Sequence, residues 1–276
     1  MAEKKSQTEG KEVAEVSDDE LKALMNQNAK LQEKENDGDS VKADYLLLAK
    51  DNCKAMKKKE TELYIEGLKK GEIYIQKDKI NLGDELRVVP LAFITLYNEF
   101  EGNGKDAKFV GRWNKEQATT FPLVEGNNFN RQLPNGHVLT PVNWVMVEIL
   151  GHKEIDNAVI AFKSTDSRIW RKWKEDAKNR SSSSATLIYR IFEEEYENDE
   201  YEWTDFGFEH DGSLLEEDKN MAVYCLKKSN AIRESYEKNT LIGNHNTQSI
   251  TQKPVQAYIE DASDTEDSYD DEDSGF

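Results

Sequence analysis

A chain of 276 residues is long enough for one sizeable core or two small ones, with polar ends left over. Its two cysteines, Cys53 and Cys225, exclude a disulfide framework and a cysteine-rich zinc site, and no apolar run approaches the length of a membrane span. The formal net charge of −18 argues against a nucleic-acid partner, whose phosphates repel negative protein. That charge is unevenly spread, however. The last 17 residues, Glu260 to Phe276, hold nine acids and no bases, so without them the net falls to −9. Residues 61–192 sum to +2, and 163–190 carry eight bases against three acids. A near-neutral body with one basic strip and acidic ends is a different object from a uniformly acidic protein. Reduced thiols, with no apolar stretch in Met1–Ser6, predict an intracellular protein that needs no membrane.

In chain order, residues 1–40 form a polar segment. Within it Ser17 and Glu20 have the spacing of a capping box, and Leu21, Leu24, Met25 and Leu31 predict a short amphipathic helix of about 15 residues. Such a helix is either nascent in a solvated tail or docks on a partner or a second copy. Tyr45, Leu46, Leu48, Ala49, Cys53 and Met56 predict a second helix. The period then changes. Ile73, Ile75 and Ile80 are β-branched, and Leu86–Phe100 reads as one long strand or two broken at Pro90. Gly102–Gly104 predicts a turn, Phe109–Trp113 a short strand, and Leu133–Gly136 a tight turn in which Asn135 and Gly136 both tolerate positive φ. Strands follow at Asn143–Leu150 and Ala158–Phe162. Residues 164–178 predict a helix capped by Ser or Thr, and Ala185–Phe192 another strand. Glu193–Glu202 reads as an acidic hairpin or loop, Tyr201–Phe208 as an edge strand, and Leu214–Tyr236 as a helix. From Thr240 the apolar pattern fades and the chain is predicted to be disordered.

Short strands with glycine-rich turns predict a mainly β, α+β chain with flanking helices, whose core is an OB-like Greek-key barrel. An unrelated α+β sheet leaves much the same trace. The domain reading is a polar segment at 1–40, a globular unit at 41–238 and a disordered acidic tail at 239–276.

Enzymatic signals fail in turn. Gly102–Lys105 resembles a P-loop, but Glu99 stands where the first glycine belongs and Asp106 where Ser or Thr must follow the lysine. There is no Gly-x-Ser-x-Gly elbow. His137, His152, His210 and His245 lack ligand spacing, and only His210 with Asp205 and Asp211 suggests a metal. The expectation is a non-enzyme with no cofactor or metal.

The binding signal is stronger. Arg168, Arg171, Lys172, Lys174, Lys178 and Arg180 share one segment with Trp170 and Trp173, flanked by Lys163 and Arg190. On a helix Arg168, Arg171 and Lys172 fall on one face, while Arg171, Lys174 and Lys178 make an overlapping row interrupted by Glu175. Cations that follow phosphates beside aromatics on which bases stack suit single-stranded nucleic acid. A solvated helix face with both tryptophans in the core fits the same pattern. Tyr97, Phe100, Phe109 and Trp113, interleaved with Lys105, Lys108 and Arg112, are the strand candidates; about half should be core, and Trp144 is expected there too.

The tail is the sharpest feature. A terminal ring bearing its own α-carboxylate, at Phe276 behind Asp270, Asp271, Glu272 and Asp273, suits capture by a basic, apolar pocket on a partner. The same acids can lie over the protein's own basic groove and compete with DNA.

The terminal Asp-Asp-Glu-Asp-Ser-Gly-Phe resembles the acidic, Phe-ending tails of bacterial and phage single-stranded-DNA-binding proteins, with Gly275 where the bacterial form has proline. Ile65–Tyr74, Leu86–Phe93, Phe109–Trp113 and Phe162–Arg168 are similar to a family of phage proteins treated as single-stranded-DNA-binding. The resemblance covers roughly 60–192 and the tail. It implies an OB-like core, non-sequence-specific DNA binding in phage replication, recombination or repair, and the cytoplasm of the infected bacterial host. It implies replication or recombination proteins as tail partners. The competing reading is an acidic interaction protein, a nucleic-acid mimic or transcription regulator acting on a host polymerase or nuclease; assembly through the N-terminal helix is a third.

Overall fold

The structure is a computed structural model that describes residues 17–33, 44–51, 53–57, 62–102, 107–152, 154–155, 158–163, 166–197 and 202–237. The expected tail with Asp270, Asp271, Glu272, Asp273 and Phe276, the turn at 103–104, Lys105, and the candidate caps Ser164 and Thr165 lie outside the described residues.

The elements run α1 (Asp18–Glu33), β1 (Asp44–Leu48), α2 (Lys54–Lys57), β2 (Ile73–Ile75), β3 (Ile80–Gly83), β4 (Glu85–Glu101), β5 (Lys108–Asn114), α3 (Lys115–Thr119), β6 (Arg131–Gln132), β7 (Val138–Ile149) and β8 (Ala158–Lys163). They continue with α4 (Ser167–Arg180), β9 (Leu187–Glu197), β10 (Glu202–Ser213), α5 (Leu214–Glu217) and α6 (Lys219–Glu237). The chain is mainly β, with one ten-stranded sheet in the order β10-β9-β4-β7-β8-β1-β2-β3; β5 adds to β4 and β6 to β7.

The sheet is curled into a half-barrel, and the connectivity explains why. Between β3 and β4 in the sheet lie β2, β1, β8 and β7. Five flat inter-strand steps would separate them by roughly 24 Å. In the chain only Asp84 separates them, a reach of about 7 Å. A flat sheet cannot satisfy both, so it bends. Gly83 allows the entry turn with φ +93, its N–H donating to Asn81 Oδ1. At the opposite edge Asp205 of β10 reaches Lys50, just after β1, at 3.8 Å.

Alternation along the strands gives the sheet two buried faces. The inner face gathers Leu46, Leu48, Ile73, Ile75, Val88, Phe93, Val145, Val147, Ile160, Phe162, Tyr189 and Ile191, with α4 laid across them through Ile169, Trp170, Trp173 and Ala177. The outer face, with Val89, Leu91, Ile94, Leu96, Trp144 and Met146, is covered by α1, α5 and α6.

Leu86–Phe100 is one strand, and Pro90 marks its irregularity: the register shifts between Pro90 and Ala92, and pairing with β9 stops at Val88. A residue without an N–H is tolerated where one neighbour ends. The predicted helix over 45–56 is a correction. Residues 44–48 form β1, parallel to β8, and helix is confined to Lys54–Lys57. Leu46 and Leu48 face the inner core while Tyr45 and Leu47 pack elsewhere, so an apolar run buried on both faces imitates a helix. The turn at Leu133–Gly136 forms, but only Gly136 takes positive φ (+88). The acidic stretch takes the hairpin alternative: β9 runs to Glu197 and pairs antiparallel with β10 from Glu202, which lies along an edge of the sheet.

Helix α1 has the expected cap, Glu20 N–H donating to Ser17 Oγ at 3.2 Å. Its buried side, with Leu21 and Asn28, packs on α6 of the same chain, so it is not an isolated nascent helix. Asn28, 0% exposed, donates to Ser229 Oγ and Asn230 Oδ1 at 2.8 Å each and accepts from Ser183 Oγ at 2.5 Å. Asn28→Ala removes the bonds that Ser183 and Asn230 make to it in a buried site, and a loss of about 1–3 kcal/mol in a urea titration is expected.

Candidate nucleic-acid interface

Helix α4 starts at Asp166, which makes no side-chain capping bond, and its two tryptophans fix its roll. Trp170 (7% exposed) donates Nε1–H to the Trp144 carbonyl at 3.0 Å, and Trp173 (1% exposed) stacks on Phe208. Both are core, so neither offers a face to a base. With that side buried, Arg168, Arg171, Lys172 and Lys178 are exposed, and Lys174 lies half-buried with its ammonium 4.8 Å from the centre of the Trp170 ring.

Among the described residues none of these five cations has a carboxylate within ion-pair distance, whereas the other arginines tested for the strip are neutralised. Arg180 pairs with Asp176 at 2.7 Å, and Arg190 is shared by Glu85, Glu209 and Asp211. Burial holds the Lys174 ammonium below the usual lysine range, and the charges of Lys115, Arg233 and Lys178 push it the same way. Two of these three were not legible beforehand. Lys115 opens α3, which is capped by Asn114 Oδ1 accepting from Gln117 N–H at 2.6 Å. Arg233 comes from α6, where it is buried and donates to the Leu91 carbonyl and to Ser229 Oγ; burial alone pushes it down to about 10.

The convergence has a structural cause. One side of β4 pairs with β9 at residues 85–88 and with β5 from residue 96, leaving 89–95 without a strand neighbour there among the described residues. Leu91 O, unclaimed by a ladder, accepts from Ser229 and Arg233 instead. Near this gap, Ser167 of α4 accepts from Asn143 Nδ2 at 3.0 Å, and Asn143 Oδ1 accepts from Thr95 Oγ1 at 2.8 Å. Ser167, Arg171, Lys174 and Lys178 fall on one stripe of the helix. It is the second of the two basic rows.

The strand candidates divide. Tyr97 is buried beside Ala118, Leu133 and Leu139. Trp113 is half-buried, donates Nε1–H to Glu99 at 2.6 Å and meets Phe121 edge-on. Phe100 and Phe109 are half-buried with ring centres 6.0 Å apart, and Lys108 is exposed at the start of β5. Arg112 lies over Phe109 and Trp144 at 5.2 and 4.9 Å and donates to Tyr45 Oη at 2.8 Å. This second patch belongs to the outer face with Trp144, so the sheet separates it from α4. Phe129, 69% exposed between α3 and β6, is an aromatic that sequence reasoning missed. Lys163, on β8, is half-buried, and burial pushes it down to about 8.

Elsewhere, Cys53 and Cys225 are both free and buried, the Cys225 thiol pushed up to about 12 by burial. Asp205 and Asp211 are engaged by lysine and arginine, and His210 packs edge-on against Tyr189. No helix among the described residues is long and apolar enough to cross a membrane.

No curated protein and no solved structure matches the chain. A family model described as Pam3 phage gp34-like protein matches residues 51–237, which span everything from α2 to α6. The protein therefore belongs to the Pam3 phage gp34-like family and is a phage protein.

Proposed function

We propose that the chain binds single-stranded DNA without sequence preference, through the α4 strip, in phage replication, recombination or repair. The observation that carries this reading is the set of five cations, Arg168, Arg171, Lys172, Lys174 and Lys178, that have no ion pair among the described residues and sit on a helix held by its own buried tryptophans. In a chain of net charge −18, unpaired cations gathered on one surface call for an anionic partner. The curled sheet is the part of the OB-like expectation this reading uses, as a stiff support for the strip. Phe100 and Phe109 lie across the sheet from the strip and Phe129 between α3 and β6, so this reading rests on phosphate contacts rather than on stacked bases. The acidic tail ending in Phe276 recruits replication or recombination proteins and competes with DNA for the strip.

The test is anisotropy titration of oligo-dT at several salt concentrations. Neutralising Arg171, Lys174 and Lys178 together is expected to weaken binding at least tenfold and to reduce the salt slope by about 2, as three lost phosphate contacts require. Deleting residues 260–276 should tighten binding and abolish partner capture. No binding to oligo-dT at low salt, with or without the tail, sinks the proposal. One observation favours the alternative of an acidic interaction protein: Glu194, Glu195, Glu197, Glu202 and Glu209 are all exposed on the β9–β10 arm. Capture of host proteins that survives the triple neutralisation would support it.

A further inference from the structure

Arg233 is the buried cation that the fold explains least. It is 2% exposed and reaches from α6 to the open segment 89–95 of β4. Nε donates to Ser229 Oγ at 3.2 Å and Nη2 to the Leu91 carbonyl at 3.0 Å, while Nη1 makes no hydrogen bond among the described residues. Neither acceptor depends on the guanidinium. The Leu91 carbonyl also accepts from the Ser229 hydroxyl at 2.6 Å, and Ser229 Oγ accepts from Asn28 Nδ2 at 2.8 Å. No carboxylate pairs with Arg233 among the described residues, and burial alone lowers its pKa, to about 10. The group therefore stays charged at neutral pH, in a place where a charge without a counter-ion is costly.

The strip borders the same open segment. Ser167 of α4 is tied through Asn143 to Thr95, and Arg233 is tied to Leu91, four residues back along β4. Lys174 stands two helical turns after Ser167 on one stripe, its ammonium held over the Trp170 ring. The charges acting on Lys174 are those of Lys115, Arg233 and Lys178, with no acid among them. Cations from three helices that meet without an acid suit an anion with several oxygens. A guanidinium fork beside a lysine point charge suits phosphate in particular. We propose that Arg233 and Lys174 together hold one backbone phosphate of the strand that lies along α4. The proposal rests on the DNA-binding reading and adds α6 to the interface, at the point where the strand passes the gap in β4.

The experiment pairs thermal unfolding with oligo-dT anisotropy, on the full chain and on Arg233→Met, which keeps the stem and removes the charge. A guanidinium kept for a ligand gives this variant a Tm in chloride at or above the parent's, because no acceptor loses its last donor. Its affinity for oligo-dT should fall at least threefold, with the salt slope lower by about 1. Lys174→Met should weaken binding likewise, and the double variant should lose less than the product of the two single losses, since both groups serve one phosphate. Inorganic phosphate, against chloride of equal ionic strength, should raise the Tm of the parent and of neither variant. Misfolding of Arg233→Met, or a Tm lowered by more than about 3 °C, makes the guanidinium structural and overturns the proposal. So do losses that multiply in full, or oligo-dT binding that Arg233→Met leaves unchanged while neutralising Arg171, Lys174 and Lys178 weakens it; the DNA-binding reading then stands. A phosphate response lost in Arg233→Met with oligo-dT binding intact gives the site to a free phosphate and overturns the assignment to the strand. No binding of oligo-dT by the parent overturns both readings.

Discussion

Replacing Trp173 with alanine is expected to cost about 3–5 kcal/mol of unfolding free energy, read as a lowered urea midpoint at unchanged slope. Its ring stacks on Phe208 at 5.4 Å with an interplanar angle of 10°, and meets Phe93 and Tyr189 edge-on at 6.0 and 5.6 Å. It is the point where α4 touches β4, β9 and β10 together, so its loss leaves a large void and frees the roll of the helix. Trp173→Phe keeps a ring and tests packing alone. Trp173 Nε1 is buried and makes no hydrogen bond among the described residues, so phenylalanine removes an unsatisfied donor along with some packing. Trp173→Leu removes the ring and separates packing from base stacking: the folded variant should bind oligo-dT as the parent does. A stacking residue stripped of its ring would lose roughly 1–3 kcal/mol of binding, so a tenfold loss of affinity in folded Trp173→Leu would return the ring to the interface.

Lys228→Met is expected to destabilise by a similar amount, about 3–5 kcal/mol, because it takes the bonded ammonium away from a buried carboxylate. Lys228 Nζ donates to Glu148 Oε2 at 2.6 Å, and the two side chains are only 12% and 7% exposed. The pair joins α6 to β7 on the outer face. Replacing both, as Lys228→Met with Glu148→Leu, should recover most of the loss, since it removes the buried carboxylate together with its ammonium. The pair also has a pH signature. Burial lowers the Lys228 pKa, but the hydrogen bond to Glu148 and its charge outweigh this and leave it raised. Its contribution is therefore fully present below the unfolded lysine value of about 10.4 and is lost as pH rises through the higher folded value. Thermal scans above about pH 10 should show the parent losing this part of its stability and the double variant not.

Sequence pattern reached the fold where one local signal dominated. The strands at Leu86–Phe100, Asn143–Leu150 and Ala158–Phe162 are long β-branched or apolar runs, and the α4 helix shows a plain 3.6-residue period. It failed at Tyr45–Leu48, where both faces are buried and periodicity carries no information. The docking of α1 was illegible for a different reason: Asn28 and Ser229 read as ordinary surface residues until two distant helices are placed side by side. The site divides in the same way. The basic row Arg171, Lys174 and Lys178 was visible in one segment, and the core alternative for Trp170 and Trp173 stood beside the stacking one. Lys115 and Arg233 join the row only through the gap in β4 pairing, and the ion pairs that neutralise Arg180 and Arg190 come from Asp176 and from strands β4 and β10. No local pattern encodes those.

The clasp of α1 on α6 also constrains how the protein is made. Asn28 and its partner Ser229 are separated by 201 positions. At about 5–20 residues per second, a ribosome needs roughly 10–40 s to supply the second after the first. Throughout that interval Leu21, Leu24 and Met25 have no helix to cover them, and β1 likewise waits for β8. The nascent chain must keep α1 unengaged until most of α6 has emerged, so any premature stop before α6 releases a half-barrel whose outer face lacks that cover.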